Sequence, residues 1–257
     1  MKTDLFYEHY IDVDDDCWWF NLGYLDSGQT CPVFKGWDVR KMFFEEMDSY
    51  TEPSIIDVGA GIGGYTLLAA KHPGASIVAF EPMIEAHNLL LRNILRAGIS
   101  DRAAAFRVAL WKGGGVKLLR VPNDRRNASK ATLGEPLWVG SYEERKVGVR
   151  SIDDVIDTNM QVDLMKINAN GAELMVLEGA EKTILRQKPD MLIKFHPNDF
   201  AQFEYGLRDM EAKLNEWGAN HEIVGYTWLW VTWPEEPWRS SVTSSLRRRA
   251  DTVAKSG

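Results

Sequence analysis

The chain has 257 residues with 30 basic and 37 acidic side chains, a net charge of −7, and its length suits one domain with extensions. That balance offers no broad positive field for a phosphate backbone, so composition argues against nucleic acid as a partner. Cys17 and Cys31 lack metal-ligand spacing and read as free thiols; no stretch approaches the ~20 apolar residues of a membrane span and the N-terminus lacks a basic, apolar leader, so a cytoplasmic protein is expected.

In chain order, the first feature is aromatic density. Phe6, Tyr7, Tyr10, Trp18, Trp19, Phe20 and Tyr24 precede an amphipathic segment with Trp37, Met42, Phe43 and Met47. Residues 1–50 are read as an N-terminal aromatic-rich extension. It is either a lid that folds over a cleft, with Trp228, Trp230, Trp233 and Trp238 adding stacking surface, or a packed helical extension or homodimer face. Asp12, Asp14, Asp15 and Asp16 begin like a calcium loop, but Cys17 replaces its glycine and Gly23 its glutamate, so no metal site is expected.

The stretch Ser54 to Thr66 reads as an apolar strand running into an acid, Asp57, and a glycine turn that opens a helix. Gly59, Gly61 and Gly64 satisfy the pattern of dinucleotide binders, while Gly59, Gly61 and Gly63 read equally as G-x-G-x-G. A dinucleotide site receives a pyrophosphate at this turn, which Asp57 would repel. Asp57 would instead favour a ligand with an ammonium and a sulfonium, S-adenosylmethionine. The next strand, Ser76 to Phe80, ends in Glu81-Pro82, at about the ~20-residue offset where an acid holds ribose hydroxyls. Asp57, Gly59, Gly61, Gly63, Glu81, Pro82 and Ala109, at the end of a third strand from Ala104, form the expected cofactor set.

Met83 to Ala97 is an expected helix ended by Gly98. Val116 to Val121 and Lys146 to Arg150 are strand candidates around a polar loop, Asn123 to Thr132. Val162 to Ile167 then reads as a strand, Ala172 to Arg186 as one helix, and Met191 to Phe195 as a strand. A helix with Leu207, Met210, Leu214 and Trp217 follows, then closing strands at Ile223 to Tyr226 and Leu229 to Val231. The alternation implies an α/β fold around a parallel sheet with right-handed crossovers. Residues 51–238 are assigned to this domain, and 239–257, with Arg247 to Arg249, to a frayed tail.

Several motifs, in order, resemble the FkbM-type S-adenosylmethionine-dependent O-methyltransferases. They are Asp57 to Gly63, Phe80-Glu81-Pro82, Asn127 to Leu133, Ser151 to Ile156 and, most specifically, Asp163 to Ala180. The resemblance implies a Rossmann-like seven-stranded methyltransferase sheet, parallel except for one strand. It also implies a methyl donor across the carboxyl ends of the first strands and transfer to a hydroxyl of a small metabolite, sugar or polyketide-like acceptor. The chain departs from the family's pattern where Asn168-Ala169-Asn170-Gly171 replaces Asp-Val-Glu-Gly, and where Lys194 replaces an acid at the end of the fifth strand. Three readings stay open. Positioning alone suffices for transfer, or the acceptor is anionic and pairs with Lys194, or the chain is a binding-only relative acting as scaffold or sensor.

Among candidate catalytic groups, His196 is a neutral base or a strand-end cap, Lys166 lines the cleft or snorkels to an edge, and Asn168 hydrogen-bonds the acceptor without taking its proton. Asn170, Glu173 and Lys194 are candidate acceptor contacts, with Glu173 equally readable as a helix N-terminal stabiliser. Asp153 and Asp154 are expected to cap the short helix they open.

Overall fold

A computed structural model describes residues 8–13, 16–21, 37–123, 129–137, 140–195, 197–225 and 227–234. The aromatic extension contributes a hairpin, β1 (Glu8–Val13) and β2 (Asp16–Asn21), in which Cys17 stands opposite Asp12. The expected lid residues Phe6, Tyr7 and Tyr24, the acids Asp14 and Asp15, and Cys31, Trp238 and the tail lie outside the described residues. Helix α1 (Trp37–Asp48) follows. Val39, Phe43 and Met47 recur at helical spacing and are buried in the core, each complete burial contributing about 1.5–3 kcal/mol. This helix is therefore part of the folded body, and a boundary at residue 50 divides sequence but not packing.

The main sheet begins with β3 (Ser54–Val58), followed by α2 (Gly64–Ala69), β4 (Ser76–Phe80), α3 (Ile84–Arg96) and β5 (Ala103–Phe106). A smaller sheet interrupts, made of β6 (Ala109–Leu110), β7 (Gly115–Pro122) and β8 (Tyr142–Arg150). After α4 (Ile152–Val155) come β9 (Leu164–Ile167), α5 (Glu173–Glu178), α6 (Glu181–Gln187) and β10 (Asp190–Lys194). The chain closes with α7 (Pro197–Phe200), a 3-10 turn, α8 (Leu207–Glu216), β11 (Asn220–Val224) and β12 (Trp228–Thr232). The strand order is β11-β12-β10-β9-β3-β4-β5. Only β12 runs against the others, as the resemblance implies.

Strand alternation sorts the core into two faces. Ile55, Ile77, Leu164, Leu192, Trp228 and Trp230 pack against α1, α2 and α3, while Ile56, Val58, Met165, Ile167, Ile193 and Leu229 pack against α5, α6 and α8. Since β9 inserts beside β3, the strand order reverses between them, which opens a crevice at their carboxyl ends.

Three expectations are corrected. The strand read from Ala104 to Ala109 divides, its first part staying in the main sheet and Ala109 pairing with Val149 in the smaller one. The helix read from Ala172 to Arg186 breaks at Gly179, where the Trp111–Lys112 backbone crosses so closely that a β-carbon would strike the Trp111 carbonyl. Asp153 does not cap its own helix. Ser151 does that, accepting from the Asp154 N–H at 3.2 Å, and the Asp153 carboxylate accepts from Lys182 and Thr183 at the start of α6. Among the described residues no helix is long and apolar enough to cross a membrane.

Candidate active site

The glycine turn between β3 and α2 lies at the crevice. Gly59, Gly61 and Gly63 all have positive φ (64°, 58° and 104°), a region costly to residues with a β-carbon. A β-carbon at Gly59 would run into the Asn168 carbonyl, and one at Gly63 would lie 2.8 Å from the Leu90 side chain. At Gly61 it would meet nothing within 4 Å, so the turn presents bare backbone to open space at that residue alone of the three. Glu81, at the end of β4, faces this space from the next strand. One carboxylate oxygen accepts the Gly61 N–H and the other the Met83 N–H, each at 2.8 Å. Burial pushes its pKa up, against the pull of those two bonds. Each oxygen keeps a lone pair for a further donor. Pro82 follows it, half-buried, and Ala109 is buried in the smaller sheet.

Asp57 and Lys166 have roles the sequence reading did not give them. The parallel register of β3 and β9 sets them side by side on one face. The buried ammonium of Lys166 donates to Asp57 Oδ1 at 2.9 Å, to the Gly59 carbonyl at 2.8 Å and to the Val58 carbonyl at 3.1 Å, which uses all three of its protons. Thr66 donates to Asp57 Oδ2 at 2.7 Å. Asp57 is thus compensated inside the protein, so it neither offers a free charge to a ligand ammonium nor repels a pyrophosphate as an isolated acid would. Lys166 is not a cleft base, because its protons pin the carbonyls that lead into the turn. A sequence signal existed: two charged residues, each alone in an apolar strand, are rarely buried except with each other.

The loop after β9 carries the departures from the family's pattern. Asn170 has φ 49°, and its amide donates to the carbonyls of Ser129 and Ala131, both at 2.8 Å, while its own carbonyl accepts from Thr132 at 3.2 Å. It therefore clamps the polar loop and has no amide proton left for an acceptor; a carboxylate here would face two carbonyls without a proton to give. Glu173, expected as an acceptor contact, is buried and turned inward. It accepts from the Ala169 N–H at 2.8 Å and, longer, from Gly171 and Tyr205, and burial raises its pKa to about 7.

Asn168 differs from both. Its backbone N–H donates to the Val58 carbonyl, but its side-chain Oδ1 is buried and has no hydrogen-bond partner among the described residues, an uncommon state. Ile167 and Ile193 are register partners, so the residues that follow them, Asn168 and Lys194, stand side by side at the carboxyl edge. Lys194 is half-buried, donates to Thr227 Oγ1 at 2.6 Å and lies 4.9 Å from the centre of the Trp228 ring. Tyr65, from the start of α2, packs against Trp228 with ring centres 5.6 Å apart and against Phe43, adding an aromatic wall that the glycine motif did not disclose. His196, the expected base, lies outside the described residues.

The family described as the methyltransferase FkbM domain matches residues 57–220, and the chain belongs to that family. Methyltransferase sdnD of Sordaria araneosa is 27% identical over 162 residues, which cover 51% of this chain and 62% of sdnD. This chain thus spans under two thirds of that relative. A crystal structure of methyltransferase FkbM from Methylobacillus flagellatus KT is 20% identical, with a TM-score of 0.47 over 70% of this chain and 44% of that one. The N-terminal domain of human METTL16 in complex with SAH is 15% identical, with a TM-score of 0.44 over 79% and 70%. Structures of METTL16 methyltransferase domains stand among the similar folds, and the expectation of no nucleic-acid partner is withdrawn. A net charge sums the whole surface and says nothing of the charge at one cleft.

Proposed function

We propose that this FkbM-family chain uses S-adenosylmethionine to methylate a hydroxyl of a small metabolite, sugar or polyketide-like acceptor. The observation that carries the donor half is the bare face of Gly61, open where a β-carbon would meet nothing and held to Glu81 by a 2.8 Å hydrogen bond. Glu81 accepts ribose hydroxyls with its remaining lone pairs, and the Lys166 bonds fix the turn beforehand, so little reorganisation is needed on binding. When bound, the donor supplies a methyl group on a sulfonium, which is open to in-line displacement. Asn168 is the proposed partner of the acceptor's hydroxyl; its amide oxygen is buried and lacks a donor among the described residues, so a turn of this side chain toward the crevice accompanies binding and aims an oxygen lone pair of the acceptor away from the amide. The amide orients the nucleophile but cannot take its proton; His196, two residues beyond Lys194, is the titratable group proposed for that.

The test is calorimetric titration of the full chain with S-adenosylmethionine, S-adenosylhomocysteine and NAD in parallel. Micromolar-range binding of both adenosyl ligands is expected, weakened at least about tenfold in Gly61→Val, which combines a strained φ with a branched side chain in the open face. Silence toward both ligands, or binding of NAD alone, would sink the reading.

A further inference from the structure

Lys194 is the reverse of its neighbour Lys166. Both lie on one face of the sheet, on adjacent strands, but Lys166 meets a carboxylate and two carbonyls, whereas among the described residues Lys194 meets one hydroxyl and the face of Trp228. A half-buried ammonium with donors to spare is costly without a counter-charge, and burial accordingly pushes its pKa down. A methionine or leucine would fill the same space against Trp228 without that cost. The spare donors of Lys194 are complementary to a ligand whose anionic oxygen reaches the carboxyl edge of the strand.

We propose that Lys194 is the recognition cation of the acceptor subsite, and that the acceptor carries an oxyanion, carboxylate or phosphate, near the hydroxyl that receives the methyl group. The inference rests on the methyl-transfer reading above and deepens it. The chain has an ammonium at this strand end, and an ammonium selects a negative group. Trp228 and Tyr65 bound the subsite on one side and favour an acceptor with a flat or ring-shaped body next to its charge.

The experiment compares matched acceptors on the full chain, 4-hydroxybenzoate against 4-hydroxybenzamide and glucose 6-phosphate against glucose. Methyl transfer is followed from labelled S-adenosylmethionine, and binding to the S-adenosylhomocysteine complex by tryptophan fluorescence. The charged member of one pair should win by about 10-fold to 100-fold, the range for one charge-assisted hydrogen bond, and which pair responds tells carboxylate from phosphate. Lys194→Met should erase the preference chiefly through KM, and Lys194→Arg should keep part of it. Equal response to charged and neutral members, a preference that survives in Lys194→Met, or neither turnover nor binding of any charged member overturns the proposal. A parallel S-adenosylhomocysteine titration separates the two ideas. No affinity for it in the parent chain would count against methyl transfer, while tryptophan fluorescence of the chain titrated with the acceptors alone, parent against Lys194→Met, still decides anion recognition by Lys194.

Discussion

Lys166 and Lys194 project from neighbouring strands onto one face of one sheet, yet their surroundings are opposites. The first is closed, with Asp57, Thr66 and two backbone carbonyls satisfying every polar group at the base of the glycine turn. The second is only half-buried, and among the described residues its ammonium meets one hydroxyl and the face of Trp228. The contrast teaches that a buried charge in a cleft is no sign of catalysis by itself. Where internal partners exhaust its hydrogen bonds it builds the site, and where they do not it is left to meet a ligand.

The sharpest way to break this comparison is to neutralise each lysine in turn. Lys166→Met leaves Asp57 buried with only the Thr66 hydroxyl, and is expected to cost about 3–5 kcal/mol in urea unfolding. Lys194→Met, which loses one hydrogen bond to a hydroxyl, should stay within about 1.5 kcal/mol. Equal losses would mean that the two lysines are both structural.

Next in size is Glu173, whose carboxyl titrates at about 7 in the folded chain against its ordinary 4.5. Between those values the folded state holds more protons than the unfolded state, so this group's contribution to stability is present at low pH and is lost as pH rises through about 7. The loss is on the order of 3 kcal/mol at most. Glu173→Gln keeps an oxygen for the Ala169 N–H but cannot ionise. Its unfolding free energy should match the parent near pH 4, and the two curves should separate by pH 8 with the variant the more stable. A parent curve no steeper than the variant's would place the proton elsewhere.

The smallest expected effect tests the clamp. Asn170→Asp removes both donations to the polar loop and should cost about 1–3 kcal/mol, with faster amide exchange at Thr132, whose N–H bonds Arg120. Unchanged exchange there would show that the loop is held by the Arg120 bridge rather than by the rim of the cleft.

Much of the donor half was legible along the chain. The apolar strand, the glycines at positive φ and the acid after the second strand lie within about thirty consecutive residues, and local sterics decide their conformation. The acceptor rim was not legible in the same way. Asn168, Asn170 and Lys194 were singled out as departures from a pattern, but nothing along the chain told a clamp from an orphan. Asn170 meets Ser129 and Ala131 about forty positions away, and the Glu173 carboxyl, read as facing an acceptor or the helix dipole, turns inward to the loop that precedes it.

By itself the sequence determined most of the elements, their α/β alternation and the glycine turn, because propensity, periodicity and backbone sterics act over a few residues. The tertiary structure alone decided the charges. Asp57 and Lys166 are separated by 109 positions and become neighbours only because β9 inserts next to β3. The pairing of β9 with β10 on its other side sets Asn168 beside Lys194 at the carboxyl edge. Which polar groups are satisfied depends on which strands pair, and that pairing is a property of the whole packed sheet.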